Sequence, residues 1–478
     1  MTNVLKDLTP KKFFESFEAI SAIPRKSLDE ARIADFLVNY ANERGLFCIR
    51  DDANNVFVRV PATKGRENDP AILLQGHTDM VCEKNEGVEH DFDKDGLDLY
   101  IDGDFIKARG TTLGADDGVA VAMMMAVMDG EFESHPTVEC LFTSAEEIGL
   151  IGAGAFDYSN VTARRLLNLD SAEEGCVTVG CAGGVRSSGI FKGERTSFEG
   201  ECVSITVKGL LGGHSGEDIN RGRHSANIVL MRFLRALCLK EDIRIVYIAG
   251  GGKDNAISRE ATVTVAVSDA DTVIERVLSL AAAMRTELAK CDEGMTVTAV
   301  KVSGDAAYSA DFSKRLIGAC CAVTTGVIKM SAQIEGLVEF SRNLGSFKMI
   351  EEGVEVIWST RSPSEAQLNA GEEEIELTAK LCGADSVKHY NRYPGWSYPG
   401  ESALCDSFCK HLEDIAGIKP TRIILHAGLE CGLIKAAIPD MDIISAGPDE
   451  IDIHSPDERL GIPSTQRLCE VVRRILAE

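Results

Sequence analysis

Five places in the sequence put a histidine or acidic side chains directly after an apolar segment. They hold His77 with Asp79, Asp116 with Asp117, Glu146 with Glu147, Asp170, and His454. Imidazole nitrogen and carboxylate oxygen are the ligands that zinc and manganese take in proteins. One acidic residue after a strand is commonly a helix N-cap. Five such places in one chain favour a common metal site instead.

A pair of divalent metals has a stricter requirement than a single ion. Two ions about 3.5 to 4 Å apart need a carboxylate that binds both. Two histidines and three carboxylates are the minimum set, and the five places supply it. Asp79 fits as the acceptor for the second ring N–H of His77, because a ligating imidazole usually donates that hydrogen to an outer carboxylate. The open alternatives are a loop histidine at His77 and, at Glu146 and Glu147, two acids that suit a helix N-terminus.

An α/β sheet would bring these places together. Over residues 1–185, short and almost wholly apolar strands alternate with helices, which is typical of a sheet covered on both faces. The predicted strands are "NVFVRV", "AILLQG", "TVECLFT" and "RRLLNLD". Ligands in such a sheet collect beyond the carboxyl ends of the strands, where these side chains fall. The first helix, "KKFFESFEAI", is predicted with Thr9 as its N-cap and Pro10 in its first turn.

The pattern changes at about Cys202 and changes back after "NRYPGWSYPGES". Strands between these points, such as "ECVSITVKG" and "ATVTVAV", alternate apolar and polar residues, as in an open sheet with one solvated face. Their order suggests two successive strand-helix-strand-strand-helix units, at about 202–290 and 295–382. We therefore predict a discontinuous α/β domain of residues 1–185 and 400–478, with an inserted domain of residues 186–399 that consists of two similar α+β units.

Composition excludes several classes of partner. The chain has 75 acidic and 50 basic residues, a formal charge of -25 and no block rich in lysine and arginine. Nucleic acid and anionic membranes are therefore poor partners. The first residues lack the apolar stretch of a signal peptide, and the 15 cysteines form no CxxC pair or small disulfide framework. These features predict a cytoplasmic protein whose cysteines, including Cys405 and Cys409, pack as small apolar residues.

Six motifs carry a family resemblance: "GHTDMV", "GTTLGADDG", "TSAEEIGLIGA", "NLDSAEEG", "KGLLGGHSGEDIN" and "IHSPDERL". In this order they resemble the dinuclear zinc aminopeptidase/aminoacylase superfamily, and within it the aminoacyl-histidine (Xaa-His) dipeptidases, which are carnosinase-like enzymes. The resemblance spans essentially the full chain. It implies a phosphorylase/hydrolase-like dizinc peptidase domain with a mixed sheet and an inserted α+β lid domain.

The resemblance also implies a function, which is the metal-dependent hydrolysis of dipeptides, above all Xaa-His dipeptides. A tripeptidase or an N-acyl amino acid deacylase of the same superfamily is the alternative within enzymes. A catalytically silent metal-binding or scaffold protein is the alternative from another class. No ligand or base that the family pattern requires is missing from the sequence, which disfavours the silent protein.

The ligands of two metals follow from the resemblance. One metal is implied to lie among His77, Asp116 and Asp170, and the other among Asp116, Glu147 and His454. Asp116 is then the bridge, and its peptide bond to Asp117 is implied to be cis. Many relatives have asparagine at the second of these positions, and register favours Asp116 as the ligand. Zinc is the expected metal, with manganese and cobalt as alternatives.

Catalytic and substrate-binding roles are implied in the same way. Glu146 is implied to be the general base that takes a proton from metal-bound water, so that a metal-bridging hydroxide attacks the scissile carbonyl, and that returns the proton to the leaving amine. His214 in "GGHSG" is implied to reach across a cleft to the oxyanion, with a simple turn residue as the alternative. Asn255 and Arg361 resemble lid residues that hold the carboxyl end of the substrate, since arginine binds a carboxylate through two hydrogen bonds. Glu430 is either a contact for the free amino group or a helix-capping acid.

The length of the inserted domain bears on assembly. Single-unit lids of the superfamily often pair into dimers in which a partner histidine completes the site. The insertion is longer than such a lid, so its second unit could take the place of the partner. We therefore expect a subunit that is complete by itself, whether monomer or homodimer.

Overall fold

The structure is a computed structural model that describes residues 4–288, 290–332, 334, 336–398 and 400–478. The chain forms two compact units. The first unit comprises Met1–Cys181, Trp396–Ile424 and Leu429–Glu478, and the second comprises Ala182–Gly395 and Leu425–Gly428. The predicted domain limits at residues 185 and 400 lie a few residues from these breaks, and the two domains as such stay a prediction.

The first unit consists of helices packed on a mixed sheet. Its helices are α1 (Lys11–Ser21), α2 (Ala31–Glu43), α3 (Ala115–Met128), α4 (Ile151–Ala155), α9 (Ala403–Ala416), α10 (Glu430–Ala437) and α11 (Ile462–Ala477). Its strands are β1 (Phe47–Arg50), β2 (Val56–Val60), β3 (Ile72–His77), β4 (Leu99–Asp102), β5 (Phe105–Ala108), β6 (Val138–Thr143), β7 (Arg165–Asn168), β8 (Cys176–Cys181), β20 (Thr421–Leu425), β21 (Asp442–Ser445), β22 (Glu450–Ile451) and β23 (Arg459–Gly461).

The large sheet of this unit has the strand order β1-β2-β6-β3-β7-β21-β8-β20. Four adjacent strands run parallel to one another, in the order β6, β3, β7 and β21. Strand β2 is antiparallel to β6, and β1 is antiparallel to β2. The four parallel strands therefore end at the same edge of the sheet. Strands β22, β23, β5 and β4 form a separate small sheet. The predicted mixed α/β fold is confirmed.

Helix α3 is the central helix of the first unit. All of its residues except Asp116 are buried, as expected of a helix that is apolar on every face. Met123, Met124 and Met125 are each 0% exposed and belong to the core, as predicted. A Cβ atom at Gly76 would lie 2.1 Å from a carboxylate oxygen of Asp117. Glycine at this position thus lets the end of β3 approach the start of α3.

The predicted N-cap of α1 is wrong. Pro10 rather than Thr9 holds the N-cap position, with an extended backbone (φ -68°, ψ 137°). No side chain caps this helix, which begins at Lys11. The helix is held instead by its buried face, which includes Phe13, Phe14 and Phe17.

The second unit consists of helices packed on an antiparallel sheet. Its helices are α5 (Ala226–Cys238), α6 (Ala270–Met284), α7 (Ala310–Ala322) and α8 (Glu365–Leu381). Its strands are β9 (Gly183–Lys192), β10 (Glu201–Lys208), β11 (Gly213–His214), β12 (Arg244–Gly250), β13 (Ala256–Ile257), β14 (Ala261–Val267), β15 (Thr296–Val302), β16 (Gly326–Met330), β17 (Val338–Ile350), β18 (Gly353–Ser362) and β19 (Ser386–Tyr393). The large sheet has the order β15-β10-β14-β12-β17-β18-β9-β19, with β16 paired to β17, and β11 pairs with β13 separately.

Two further findings concern the whole described chain. Among the described residues, none of the helices has both the length and the apolar character needed to cross a membrane. The 15 cysteines, all of which lie in the described ranges, carry free thiols. Cys405 and Cys409 lie one turn apart on α9 with their sulfur atoms 3.9 Å apart, and Cys405 is fully buried.

Candidate metal centre

The predicted metal ligands lie at the edge where the parallel strands of the first unit end. His77 is the last residue of β3, Glu147 follows β6, and Asp170 follows β7. Asp116 lies at the start of α3, and His454 lies between β22 and β23. The residues converge because parallel neighbours carry their carboxyl ends to one place.

Asp116 is the point at which the ligands meet. One of its oxygens, Oδ1, lies 2.9 Å from Nε2 of His77, and the other, Oδ2, lies 3.0 Å from Nε2 of His454. His454 Nε2 is also 3.0 Å from Oε1 of Glu147. The peptide bond between Asp116 and Asp117 is cis, as the resemblance implies.

The same geometry groups the donors into sets that a metal ion can use. In each set, one nitrogen or oxygen atom per residue lies within 4.8 Å of the others. The sets are His77 with Asp116 and Asp170, Asp116 with Glu147 and His454, and His77 with Glu146 and Glu147. The first two are the sets that the resemblance implies, and they share Asp116.

The charges at this edge indicate an excess of carboxylates. Burial raises the pKa of Asp170 to about 8, and the charge of Asp116 adds to the rise. At Asp116 itself, burial acts to raise the pKa, but hydrogen bonds with His454 and His77 outweigh it and hold the pKa below its ordinary value. The hydrogen bond to Asp116 and then that to Glu147 raise the pKa of His454 to about 10. Protons on the imidazoles thus balance charges that divalent cations can balance instead, so the donor set fits two such ions.

Asp79 contacts both the ring of His77 and the backbone that carries Glu146 and Glu147. The ring nitrogen Nδ1 of His77 lies 3.1 Å from the carbonyl oxygen of Asp79 and 3.4 Å from its Oδ1, which leaves Nε2 for the ligand position. The carboxylate of Asp79 also accepts hydrogen bonds from the backbone N–H groups of Glu146 (3.0 Å) and Glu147 (3.3 Å). The sequence predicted the contact with His77, and the structure adds the contacts that orient the two glutamates. Asp79 is 0% exposed.

Arg25 and Glu458, which the sequence did not predict, bind backbone groups next to the proposed metal ligands. Arg25, a fully buried cation, donates to the carbonyl groups of Thr78 (3.0 Å), Asp79 (3.2 Å) and Gly114. The carboxylate of Glu458 accepts hydrogen bonds from three consecutive backbone N–H groups, at Leu113, Gly114 and Ala115 (2.7 to 3.0 Å). The segment that leads to Asp116 is therefore fixed from both sides. Glu458 lies in the motif "IHSPDERL", four residues after His454, and that spacing is the one signal in the sequence that could have indicated it.

Glu430 is a buried acid of the first unit. It is the first residue of α10 and is 0% exposed. Its Oε2 accepts hydrogen bonds from Gln75 Nε2 (2.5 Å) on β3 and Thr143 Oγ1 (2.7 Å) on β6. Burial raises its pKa to about 7. Its other oxygen, Oε1, is buried without a hydrogen-bond partner among the described residues, and both roles named for Glu430, a contact with the substrate amino group and a helix-capping acid, stay predictions.

His214, Asn255 and Arg361 come together in the second unit. His214 ends β11, which pairs with β13 so that the backbone N–H of Ser215 donates to the carbonyl group of Asn255 (2.8 Å). Nη2 of Arg361, on β18, lies 3.2 Å from Nε2 of His214. Burial, with the charge of Arg361, lowers the pKa of His214 to about 4. The imidazole is therefore neutral at physiological pH.

Fold and site together define a class of protein. A mixed sheet whose parallel strands end in a shared imidazole–carboxylate donor set is the arrangement of a two-metal hydrolase. The sequence profile described as "Peptidase family M20/M25/M40" matches residues 73–478. The chain belongs to this family.

The chain is similar to named relatives over nearly its full length. It is 36% identical over 479 residues to the cytosol non-specific dipeptidase of Escherichia coli (strain K12), covering 99% of each chain. It is 37% identical to the crystal structure of aminoacylhistidine dipeptidase from Vibrio alginolyticus, with a TM-score of 0.89, covering 99% of this chain and 98% of that one. A tripeptidase from Staphylococcus aureus is 16% identical with a TM-score of 0.54 over 98% of both chains, which shows a shared fold alone.

We predict that Asp79→Asn lowers activity about 10- to 100-fold, because an amide cannot accept hydrogen bonds with both of its polar atoms. The backbone at Glu146 and Glu147 and the ring of His77 would lose a fixed partner. Ser27→Ala is the matched control, since it removes only a hydroxyl that donates to Asp79 (2.7 Å), and we expect a loss of a few-fold at most. Steady-state kinetics on both variants would test this. Full activity in Asp79→Asn would show that the carboxylate is dispensable.

Metal binding should release protons. Hydrogen bonds raise the pKa of His454 from its ordinary 6.5 to about 10 in the metal-free protein, so a metal must displace a proton there at neutral pH. The contacts of protonated His454 with Asp116 and Glu147 stabilise the metal-free protein fully below pH 6.5, and this stabilisation is lost as the pH rises through about 10. Metal affinity should accordingly increase as the pH increases over this window. Calorimetric titration of chelator-treated protein in buffers of different ionisation enthalpy measures the protons released, and a heat that is the same in every buffer would contradict the prediction.

Proposed function

We propose that the protein is a metal-dependent dipeptidase that uses two divalent cations, zinc in the first place, to hydrolyse short peptides of the Xaa-His type. Metal-dependent hydrolysis of dipeptides is supported by family membership and by two relatives of full-length similarity whose names are dipeptidases. The identity of the metal and the preference for histidine are the finer parts of the proposal. Manganese and cobalt suit the same donors.

The observation that carries the proposal is the position of Asp116 between two donor sets. Each of its carboxylate oxygens faces a different histidine, at 2.9 Å and 3.0 Å. A carboxylate with one oxygen toward each of two ions is what a bridged pair requires. Two bound cations would polarise the carbonyl group of the substrate and lower the pKa of a water molecule.

The surroundings of Glu146 support its proposed role in proton transfer. Burial raises its pKa well above the ordinary value, more than the charge of His77 lowers it, and the charge of Asp170 adds to the rise. A carboxylate that binds its proton more tightly than usual is a stronger base. Its backbone N–H is fixed by Asp79, so the side chain projects from a held position. We assign to Glu146 the removal of a proton from water and its return to the leaving amine.

We assign the binding of the substrate's carboxyl end and of the oxyanion to residues of the second unit. We assign Arg361, with Asn255, to the carboxylate of the substrate, and His214 to the oxyanion of the tetrahedral intermediate. Arg361 is 4% exposed, and its hydrogen-bond partners in the described part of the chain, Tyr393 and His214, are neutral, so a carboxylate ligand would complete its surroundings. A neutral imidazole such as that of His214 can donate a hydrogen bond to a developing negative charge.

The two named relatives differ in the substrate that their names give. One is an aminoacylhistidine dipeptidase and the other a non-specific dipeptidase. We therefore propose Xaa-His dipeptides as good substrates within a wider range of dipeptides. The name of the Escherichia coli relative, together with the free thiols of this chain, supports a place in the cytosol. We propose a subunit that is complete by itself, as monomer or homodimer.

The base is tested by Glu146→Gln. We expect hydrolysis to fall by a factor of about 10² to 10⁴ with the bound metal unchanged, because the amide cannot take a proton. Glu43→Gln, at a side chain that is 77% exposed, is the matched control and should retain full activity. Kinetics and elemental analysis on the same preparations give both results. Undiminished hydrolysis in Glu146→Gln would overturn the assigned role.

The substrate class is tested by a panel of five kinds of compound. We expect hydrolysis of β-alanyl-histidine and of dipeptides without histidine, little hydrolysis of a tripeptide, and none of an N-acetyl amino acid or a dipeptide carboxamide. The physical reason is that Arg361 would select a substrate whose free carboxylate belongs to the residue directly after the scissile bond. Release of free amino acid, measured by chromatography, gives the rates. A preference for the acetylated compound would favour the deacylase alternative and contradict the dipeptidase.

A further inference from the structure

Arg361 is a buried cation whose partners are all neutral. Within the described residues, its Nη1 donates to the hydroxyl group of Tyr393 (2.9 Å) and its Nη2 contacts Nε2 of His214 (3.2 Å). Its Nε is buried and has no hydrogen-bond partner. Burying a charge is costly unless an opposite charge and hydrogen bonds compensate for it. The guanidinium group is thus arranged for an anion that would take Nε and Nη2 together.

His214 occupies one of these two donors in the ligand-free protein. Arginine can only donate, so the 3.2 Å contact requires a lone pair on Nε2 of His214. The other ring nitrogen, Nδ1, faces the backbone N–H of Glu217 at 3.4 Å. A neutral imidazole accepts at one nitrogen only, so one of the two contacts is unsatisfied. The ring is therefore weakly held.

The two partners of this contact differ in how firmly they are fixed. Arg361 lies within β18 between β17 and β9, and the ring of Tyr393 that holds its other end lies against Gly184 and Gly428, where a Cβ atom would come within 2.5 Å and 2.7 Å of it. The ring of His214 is held less firmly, because the side chain is only part-buried and its two nitrogens face donors that a neutral ring cannot both satisfy, Nη2 of Arg361 (3.2 Å) and the backbone N–H of Glu217 (3.4 Å).

The backbone of His214 is anchored independently of the ring. Its N–H donates to Oδ2 of Asp218 (2.8 Å), and the next residue, Ser215, donates to the carbonyl group of Asn255 (2.8 Å). Movement of the imidazole away from Arg361 therefore requires a side-chain rotation and no rearrangement of the loop.

We propose that His214 and the carboxylate of a ligand compete for Arg361, so that binding of a free peptide carboxyl end detaches the histidine from the guanidinium group. A carboxylate binds arginine as an ion pair through two parallel N–H···O hydrogen bonds, whereas the neutral imidazole offers one acceptor atom and no charge, so the carboxylate displaces the imidazole. The inference rests on the proposed function, which takes the ligand to be a short peptide. Recognition of the carboxyl end then frees the ring, which by proton exchange with solvent takes the tautomer with its hydrogen on Nε2, available to the oxyanion, and with a lone pair on Nδ1 for the backbone N–H of Glu217. A peptide with a blocked end leaves Nε2 as the acceptor of Arg361.

The test uses a ligand that has the carboxylate but no carbonyl group for an oxyanion. The metal-loaded protein is titrated in a calorimeter with a dipeptide in which a methylene group replaces the scissile carbonyl, and with the carboxamide of the same compound. If His214 competes, His214→Ala binds the carboxylate compound about three- to tenfold more tightly than the unchanged protein, and binds the carboxamide equally well. His389→Ala, a histidine of β19 that contacts Ser187, is the control and should bind both as the unchanged protein does.

Several outcomes would overturn the inference. Equal or weaker binding of the carboxylate compound by His214→Ala, in a variant with an unchanged unfolding temperature, would show that the histidine supports the ligand or is indifferent to it. If that variant does not fold, a crystal structure of the unchanged protein with the carboxylate compound decides instead: separation of Nε2 from Nη2 beyond about 4 Å is expected, and a retained contact contradicts the competition. If the unchanged protein neither binds the compound nor hydrolyses dipeptides, the proposed function fails together with the inference, whereas hydrolysis with weaker binding by His214→Ala refutes the inference alone.

Discussion

The structure depends on one carboxylate, that of Asp116, which faces a histidine with each of its two oxygens. The anion is placed among other acids, and burial raises the pKa of Asp170 to about 8 beside it. Such a concentration of like charge is unfavourable unless cations or protons balance it. The two histidines, His77 and His454, meet that need in the metal-free protein, and divalent cations meet it in the proposed enzyme. Both the stability of the metal-free protein and the proposed catalysis thus require positive charge beside these carboxylates.

The rest of the first unit can be understood as support for this carboxylate. Parallel strands bring three of the ligands to one edge, and Gly76 lets β3 approach the start of α3. Arg25 and Glu458 bind the backbone on both sides of the segment before Asp116. Asp79 connects the ring of His77 to the backbone that carries the two glutamates. Each of these contacts fixes geometry rather than supplying a ligand, which is how a site holds its ligands before the metal arrives.

Some of this could be predicted from the sequence, for a physical reason. An apolar run that ends in a histidine or an acid shows where a buried strand reaches the polar edge of a sheet, so the five residues of the two proposed donor sets could be named without coordinates. Arg25 could not be found in this way, because its partners are backbone carbonyl groups 53 to 89 residues away and no periodic pattern marks them. For Glu430, the motif showed an acid at a helix start but not that the side chain faces Gln75 and Thr143 inside the unit. Strand β9 was missed because its buried positions include Ser187 and Ser188, so the apolar alternation that predicts a strand is absent.

The most direct test of the account is a crystal structure of the protein purified without chelator, with anomalous scattering recorded at the absorption edge of the metal found by elemental analysis. The account predicts two peaks about 3.5 to 4 Å apart, with one oxygen of Asp116 directed at each. His77 and Asp170 should lie beside one peak, and Glu147 and His454 beside the other. A single peak, or two peaks with Asp116 bound to neither, would contradict the bridged centre from which the proposed function is derived.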